Sequence, residues 1–133
     1  MEVEYMLRDS KAFSGFSVTD IEAARAFYGD TLGLAVEVNA MGMSININGS
    51  IPIFIYQKPD HTPAKFTILN FPVDNIDDAV DDLVSKGVTF EQYNNPEIPQ
   101  DAKGIGRGKS ANMGPDIAWF KDPAGNILSL LAE

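Results

Sequence analysis

The sequence predicts an α+β fold built from one unit used twice, strand, helix and three strands, then the same order again. Three observations carry this expectation. Two amphipathic helix patterns share one layout, "DIEAARAFYGDTLGL" at 20–34 and "NIDDAVDDLVSKGV" at 75–88. A strand pattern precedes each, "AFSGFSV" at 12–18 and "FTILNFPV" at 66–73. Finally, the halves superpose in register: the run Phe16 to Ile21 slides by 55 residues onto Phe71 to Ile76. A slide of 54 then matches Gly33 with Gly87 and Glu37 with Glu91, so one lost residue explains the change.

Each element has its own warrant. The first helix takes Thr19 or Asp20 as its N-cap, because a short oxygen side chain accepts from free backbone amides. Ile21, Ala24, Phe27, Tyr28 and Leu32 recur at helical spacing as the buried stripe. Gly33 stands where a left-handed residue stops a helix. In the second copy Asp74 or Asn75 is the cap, and Ile76, Ala79, Val80, Leu83 and Val84 make the stripe. Asp77, Asp78, Asp81 and Asp82 fall on the other face, read as solvated. Gly87 ends this helix, and Lys86 suits the negative end of its dipole. After the first helix come "AVEVNA", "MSININ" and "IPIFIYQ", short alternating or apolar runs. After the second come "VTFEQY", an undefined stretch near 110–114, "DIAWFK" and "NILSLLA". The turn "DPAGN" joins the last two, with Pro123 presetting one dihedral and Gly125 and Asn126 expected at positive φ.

Length and composition set the remaining bounds. The 133 residues suit a single domain, 1–133, with modules near 12–58 and 65–131, and 44% hydrophobic content can form a core. A net charge of −9 argues against nucleic acid and anionic membrane surfaces. With no cysteine, disulfides, zinc–thiolate sites and thiol nucleophiles are excluded. "MEVEYMLRDSK" lacks the apolar core of a signal peptide, and no run reaches membrane-span length, so a cytoplasmic protein is expected.

The motifs "VTDIEAARAFYGDTLGL", "VDNIDDAV…LVSKGV" and "FKDPAGNILSLL" resemble the vicinal oxygen chelate superfamily across roughly residues 12–131. That superfamily includes glyoxalase I, extradiol dioxygenases, fosfomycin-modifying enzymes and bleomycin-binding resistance proteins. The resemblance implies two tandem βαβββ modules whose curled mixed sheets form a shared cleft. It also implies homodimers. In metal-using members each module offers two ligands, usually a His on its first strand and a Glu on its last, to bind a divalent ion. Carried over by position, these places hold Phe13, Ile68, Ser129 and, within about one residue, Phe54. Phenylalanine and isoleucine have no lone pair, and a neutral hydroxyl alone is a poor ligand. His61, the only histidine, falls in the polar turn "QKPDHTPAK", outside every ligand strand. No metal and no other cofactor is therefore expected.

If Phe13 and Ile68 face inward, strand alternation turns Gly15, Ser17 and Asn70 inward as well. Ser129 and Leu131 share a face, and Phe54 or Tyr56 adds an aromatic floor. Such a lining suits an organic ligand; alternatively these side chains merely fill the space of the lost ion. Asn70, if buried, needs a ligand or a neighbour to bond. Trp119 is either a stacking platform or core, and Met41 and Met43 sit on an expected rim hairpin. The glycine-rich segment 99–115 carries Lys103, Arg107 and Lys109. It is a lid whose Arg107 grips a carboxylate or phosphate, or else a solvated loop. The expected function is metal-independent binding of a small organic molecule, sequestering an antibiotic or metabolite. Two alternatives stay open. One is a lyase, isomerase or dioxygenase-like enzyme with a relocated or absent metal site. The other is a partner module with a filled cleft. Tyr28, Tyr56, Tyr93, Glu37 and Glu91 are candidate groups for the enzyme, but no two form an acid–base pair by spacing.

Overall fold

The computed structural model describes residues 6–133. The first module comprises β1 (Gly15–Val18), α1 (Ile21–Arg25) with a π-helical continuation (Ala26–Thr31), β2 (Ala35–Asn39), β3 (Gly42–Asn46) and β4 (Ile53–Gln57). The second comprises β5 (Thr67–Pro72), α2 (Ile76–Ser85), β6 (Gly106–Arg107), β7 (Asp116–Lys121) and β8 (Ile127–Ala132). Each forms a four-stranded mixed sheet, ordered β1-β4-β3-β2 and β5-β8-β7-β6. In both, the first strand pairs in parallel with the last, and the remaining pairs are antiparallel. The topology repeats as the sequence does.

The helix caps resolve as Asp20 and Asn75. Asp20 accepts from the Glu22 and Ala23 amides, and Asn75 from the Asp78 amide. Gly33 and Gly87 leave the helices at φ of 75° and 95°, where a side chain would be strained. The first helix does not stay α-helical. It widens after Arg25, the Leu32 amide donating back five residues to the Phe27 carbonyl. Tyr28 is fully buried on this wide turn, and Phe27 meets its ring edge-on at 5.2 Å and also approaches Phe120.

Both halves feed one core. Met43, Ile45, Ile53 and Ile55 from the first sheet join Ala118, Phe120, Leu128 and Leu130 from the second. Met43, expected on a rim, is fully buried because alternation along β3 puts it on the core face with Ile45; Met41 remains 80% exposed. Val84, assigned to the buried stripe, is exposed, so α2 packs on Ile76, Val80 and Leu83.

The segment "VTFEQY" forms no strand. Phe90 makes a single bridge to Phe120, and beyond it the Gln100 side chain replaces the ladder. Its amide donates to the Glu91 and Gly104 carbonyls and accepts from the Tyr93 amide, at 2.7–2.8 Å. The acidic face of α2 is exposed at Asp78, Asp81 and Asp82, as expected, but part of it is also paired within the chain. Asp77 holds Arg107 bidentately at 2.8 and 2.9 Å, and Lys103 bridges Asp77 and Asp81. These pairs pin the 99–115 segment to α2.

The "DPAGN" turn locks the halves together. Asp122, 4% exposed, accepts from the Tyr28 hydroxyl at 2.8 Å and from the Ala124 and Asn126 amides at 2.9 Å. Asn126 is not at positive φ; Gly125 alone takes that role, at 85°. Instead the Asn126 side chain is buried and donates both to Asp122 and to the Ser17 carbonyl, 109 residues away. Burial, reinforced by the Asp122 carboxylate, pushes the Tyr28 phenol far above its ordinary value, so it stays a donor. His61 adds a second tie: its ring nitrogens bond Ser17 Oγ at 2.6 Å and the Ala124 carbonyl at 3.1 Å.

Candidate ligand cleft

β1 and β5 each pair on one side only, with β4 and β8. Beside these open edges lies a cleft of about 1000 Å³, bounded also by the β3–β4 turn, residues 47–51. Phe16, Ile53 and Phe71 give it an apolar wall, while Phe13, Ile51 and Phe66 are 53–69% exposed. Ser14, Asn48, Ser50, Thr67 and Asn70 supply neutral polar groups. Among the described residues none of its lining side chains is ionisable.

The expected site residues divide. Phe13, Ile68 and Asn70 line this cleft. Ser17 does not; its hydroxyl is taken by His61. Phe54 and Tyr56 stack on each other at 5.8 Å, off the core face of β4, and Ser129 is buried on β8. Trp119 and Arg107 line a different pocket of about 340 Å³. Phe66, Ile51, Asn48 and Ser50 were not singled out from the sequence. Alternation from Ile68 reaches Phe66 and Asn70 but not Thr67, Leu69 and Phe71, which also border the cleft because β5 offers its edge to it. A register shift between Thr67 and Leu69 breaks the alternation further.

The register also fixes which positions correspond between modules. Gly15 lies opposite Phe54, and Asn70 lies opposite Ser129. A Cβ at Gly15 would come within 2.9 Å of the Phe54 carbonyl oxygen, so glycine is required by close approach. Ser129 donates to Asn70 Oδ1 at 2.5 Å. Asn70 itself is exposed, so it stands at the cleft surface with one oxygen already bonded.

The donor set does not fit a divalent ion. Phe13, Phe54 and Ile68 carry no donor atom, and the Ser129 hydroxyl is committed to Asn70. Both His61 nitrogens are engaged. Among the described residues no group of three or more His, Asp or Glu side chains is placed to hold a metal.

Segment 99–115 is organised by charge. Arg107 Nε donates to Asp101 at 3.1 Å while its terminal nitrogens hold Asp77, so the guanidinium fork is occupied within the chain. Hydrogen bonds from Arg107 and then Lys103 hold the Asp77 carboxyl far below the ordinary carboxylate range. Burial pushes Asp101 up, but the Ile105 amide and Arg107 outweigh it and hold that carboxyl down. A carboxyl depressed by folding contributes stability above its unfolded value of 3.8, lost as pH falls below that. In Arg107→Ala the melting temperature is therefore expected to fall less steeply between pH 5 and pH 2 than in the parent. Thermal melts across that range check it, and added salt should shrink the difference.

With the geometry in place, comparison with known proteins assigns the class. Residues 13–130 match the family model of the Glyoxalase/Bleomycin resistance protein/Dioxygenase superfamily, and the chain belongs to that superfamily. Solved structures share its fold. A glyoxalase family protein from Enterococcus faecalis is 18% identical, with TM-score 0.66 over 92% of this chain and 97% of the other. TnmS3, an antibiotic binding protein from Streptomyces sp. CB03234, is 22% identical, with TM-score 0.62 over 93% and 97%. FosX, a fosfomycin resistance protein from Listeria monocytogenes, is 13% identical, with TM-score 0.66 over 94% and 93%. At such identities the likeness is one of fold. No curated protein matches the sequence. Among the described residues no helix is long and apolar enough to cross a membrane.

Proposed function

We propose that this protein binds a small, uncharged, largely apolar organic molecule in the cleft beside β1 and β5, without a metal ion. The observation that carries this reading is the lining: about 1000 Å³ bordered, among the described residues, by aromatic and aliphatic side chains, a few neutral hydrogen-bonding groups and no ionisable residue. A charged ligand would find no counter-charge there and would give up hydration. The same lack leaves the cleft without an acid or base to move a proton, which favours binding over lyase or isomerase chemistry. That TnmS3, of the same fold, is an antibiotic binding protein supports sequestration of an antibiotic or metabolite.

The protein is further proposed to act in the cytoplasm as a homodimer, with Phe13, Ile51 and Phe66 as apolar surface for ligand or partner. Light scattering of the purified protein reads the oligomeric state. Thermal-shift screening tests the ligand class: neutral polycyclic molecules should raise the melting temperature by several degrees, with no response to Ni²⁺, Zn²⁺, Fe²⁺ or Mn²⁺. Stabilisation by a divalent ion at stoichiometric concentration would overturn metal independence. Indifference to every neutral compound would overturn the ligand assignment.

A further inference from the structure

A further cavity lies on the opposite face of the second sheet. Phe120 and Leu130 alternate away from Trp119 and Ser129, onto the core face that α2 covers. With Leu83 of α2 they form the buried side of a space of about 190 Å³, and Leu32, Leu34 and Ala79 give it half-buried walls. Both helical walls are fixed from behind. Leu32 and Leu34 follow the wide turn of the first helix, where the Leu34 amide donates to the Tyr28 carbonyl at 3.0 Å and the Tyr28 hydroxyl is tied to Asp122. On the other side, Asp77 ties α2 to Arg107. Each wall is held by contacts outside the cavity, so the space between them does not close by relaxation.

The lining sets what this space accepts. Among the described residues its one ionisable neighbour is Asp82, which is exposed and paired with Lys86 at 3.0 Å. The other lining side chains are aliphatic or aromatic and carry no hydrogen-bonding group, so a charged guest would give up its hydration without replacement. A cavity of about 150 Å³ lined by Leu, Ile and Phe stays dry and takes up benzene. The present one matches it in make-up and is slightly larger. We propose that the space between the first helix and α2 is a second ligand site, separate from the cleft, which takes a small uncharged apolar molecule the size of a single aromatic ring. Among the described residues only Phe71 borders both spaces, so the remaining lining residues tell them apart.

The probes are toluene and benzoate, which share a ring and differ in charge. In methyl-labelled protein, toluene should shift the Leu34, Leu83 and Leu130 methyl resonances saturably, and benzoate should bind there at least about tenfold more weakly. Ala79→Phe puts a ring of the chain's own into the space from a half-buried helical position and should abolish these shifts. Leu34→Ala enlarges the space from the other wall, and naphthalene should then bind at least about fivefold more tightly than to the parent. Circular dichroism checks that both variants fold, and where Ala79→Phe does not, Leu34→Ala decides alone. Toluene shifts confined to the Ile51 and Ile68 methyls would place the probe in the cleft and overturn the second site. So would the absence of saturable shifts, Leu83 and Leu130 shifts that survive in folded Ala79→Phe, or no gain for naphthalene in Leu34→Ala. Equal affinity for benzoate would overturn the charge rule. The cleft's own ligand class stands or falls on the thermal-shift screen, independently of these results.

Discussion

Asp122→Ala is expected to be the most damaging single substitution in the molecule, lowering stability by about 3–5 kcal/mol. The carboxylate is buried and accepts four hydrogen bonds, from the Tyr28 hydroxyl, the Ala124 and Asn126 amides and the Asn126 side chain. Alanine leaves these donors facing a cavity that cannot satisfy them, and removing one member of a buried network costs far more than its net contribution. For a chain of this size the melting temperature should fall by about 10–20 °C. Tyr28→Phe removes a single donor and leaves Asp122 its other three, so it should cost only about 1 kcal/mol. Melts followed by circular dichroism separate the two. Equal losses would mean that the tyrosine, not the carboxylate, is the centre of the junction.

The largest functional effect is expected from Ile68→Asp. Ile68 lines a cleft with no ionisable side chain among the described residues, so a carboxylate there has no cation to pair with and a neutral ligand would have to desolvate it. Affinity for the organic ligand should drop at least about 100-fold, roughly 2.7 kcal/mol. Ile68→Asn, nearly the same in shape but uncharged, should retain binding within about tenfold. Calorimetry on both variants, with folding checked by circular dichroism, decides the matter. If aspartate binds as well as asparagine, the ligand does not sit against β5.

The duplication was legible in the sequence because it rests on local chemistry. Asp20 and Asn75 cap, Gly33 and Gly87 terminate, and apolar residues recur at helical and strand spacing between them. What escaped the sequence depends on contacts between distant residues. "VTFEQY" has strand composition, yet Gln100 intercepts its backbone bonds. Asn126 has turn composition, yet its side chain crosses to Ser17. His61 sits in a polar turn and still becomes a bridge between modules, because Ser17 and the Ala124 carbonyl come to either side of it. The candidate site was half legible. The offset that the family resemblance implies pointed to Phe13 and Ile68, and strand alternation added Asn70; all three line the cleft. Alternation could not tell that the strand edge, rather than one face, borders it, and so it passed over Thr67, Leu69 and Phe71. Arg107 carries the right chemistry for gripping an anion, but Asp77, thirty residues earlier, already occupies it.

The two inter-strand turns that correspond by duplication have unequal duties. Residues 122–126 are riveted to Tyr28, Ser17 and His61, whereas the side chain of Ser50 in the 47–51 turn bonds only to carbonyls within that turn. One hairpin tip is thus bound to the architecture and the other released from it. Insertions or replacements in the released tip would reshape the mouth of the hollow while the rivet and the interior stay as they are. A scaffold arranged this way can change what it holds without relearning how to fold.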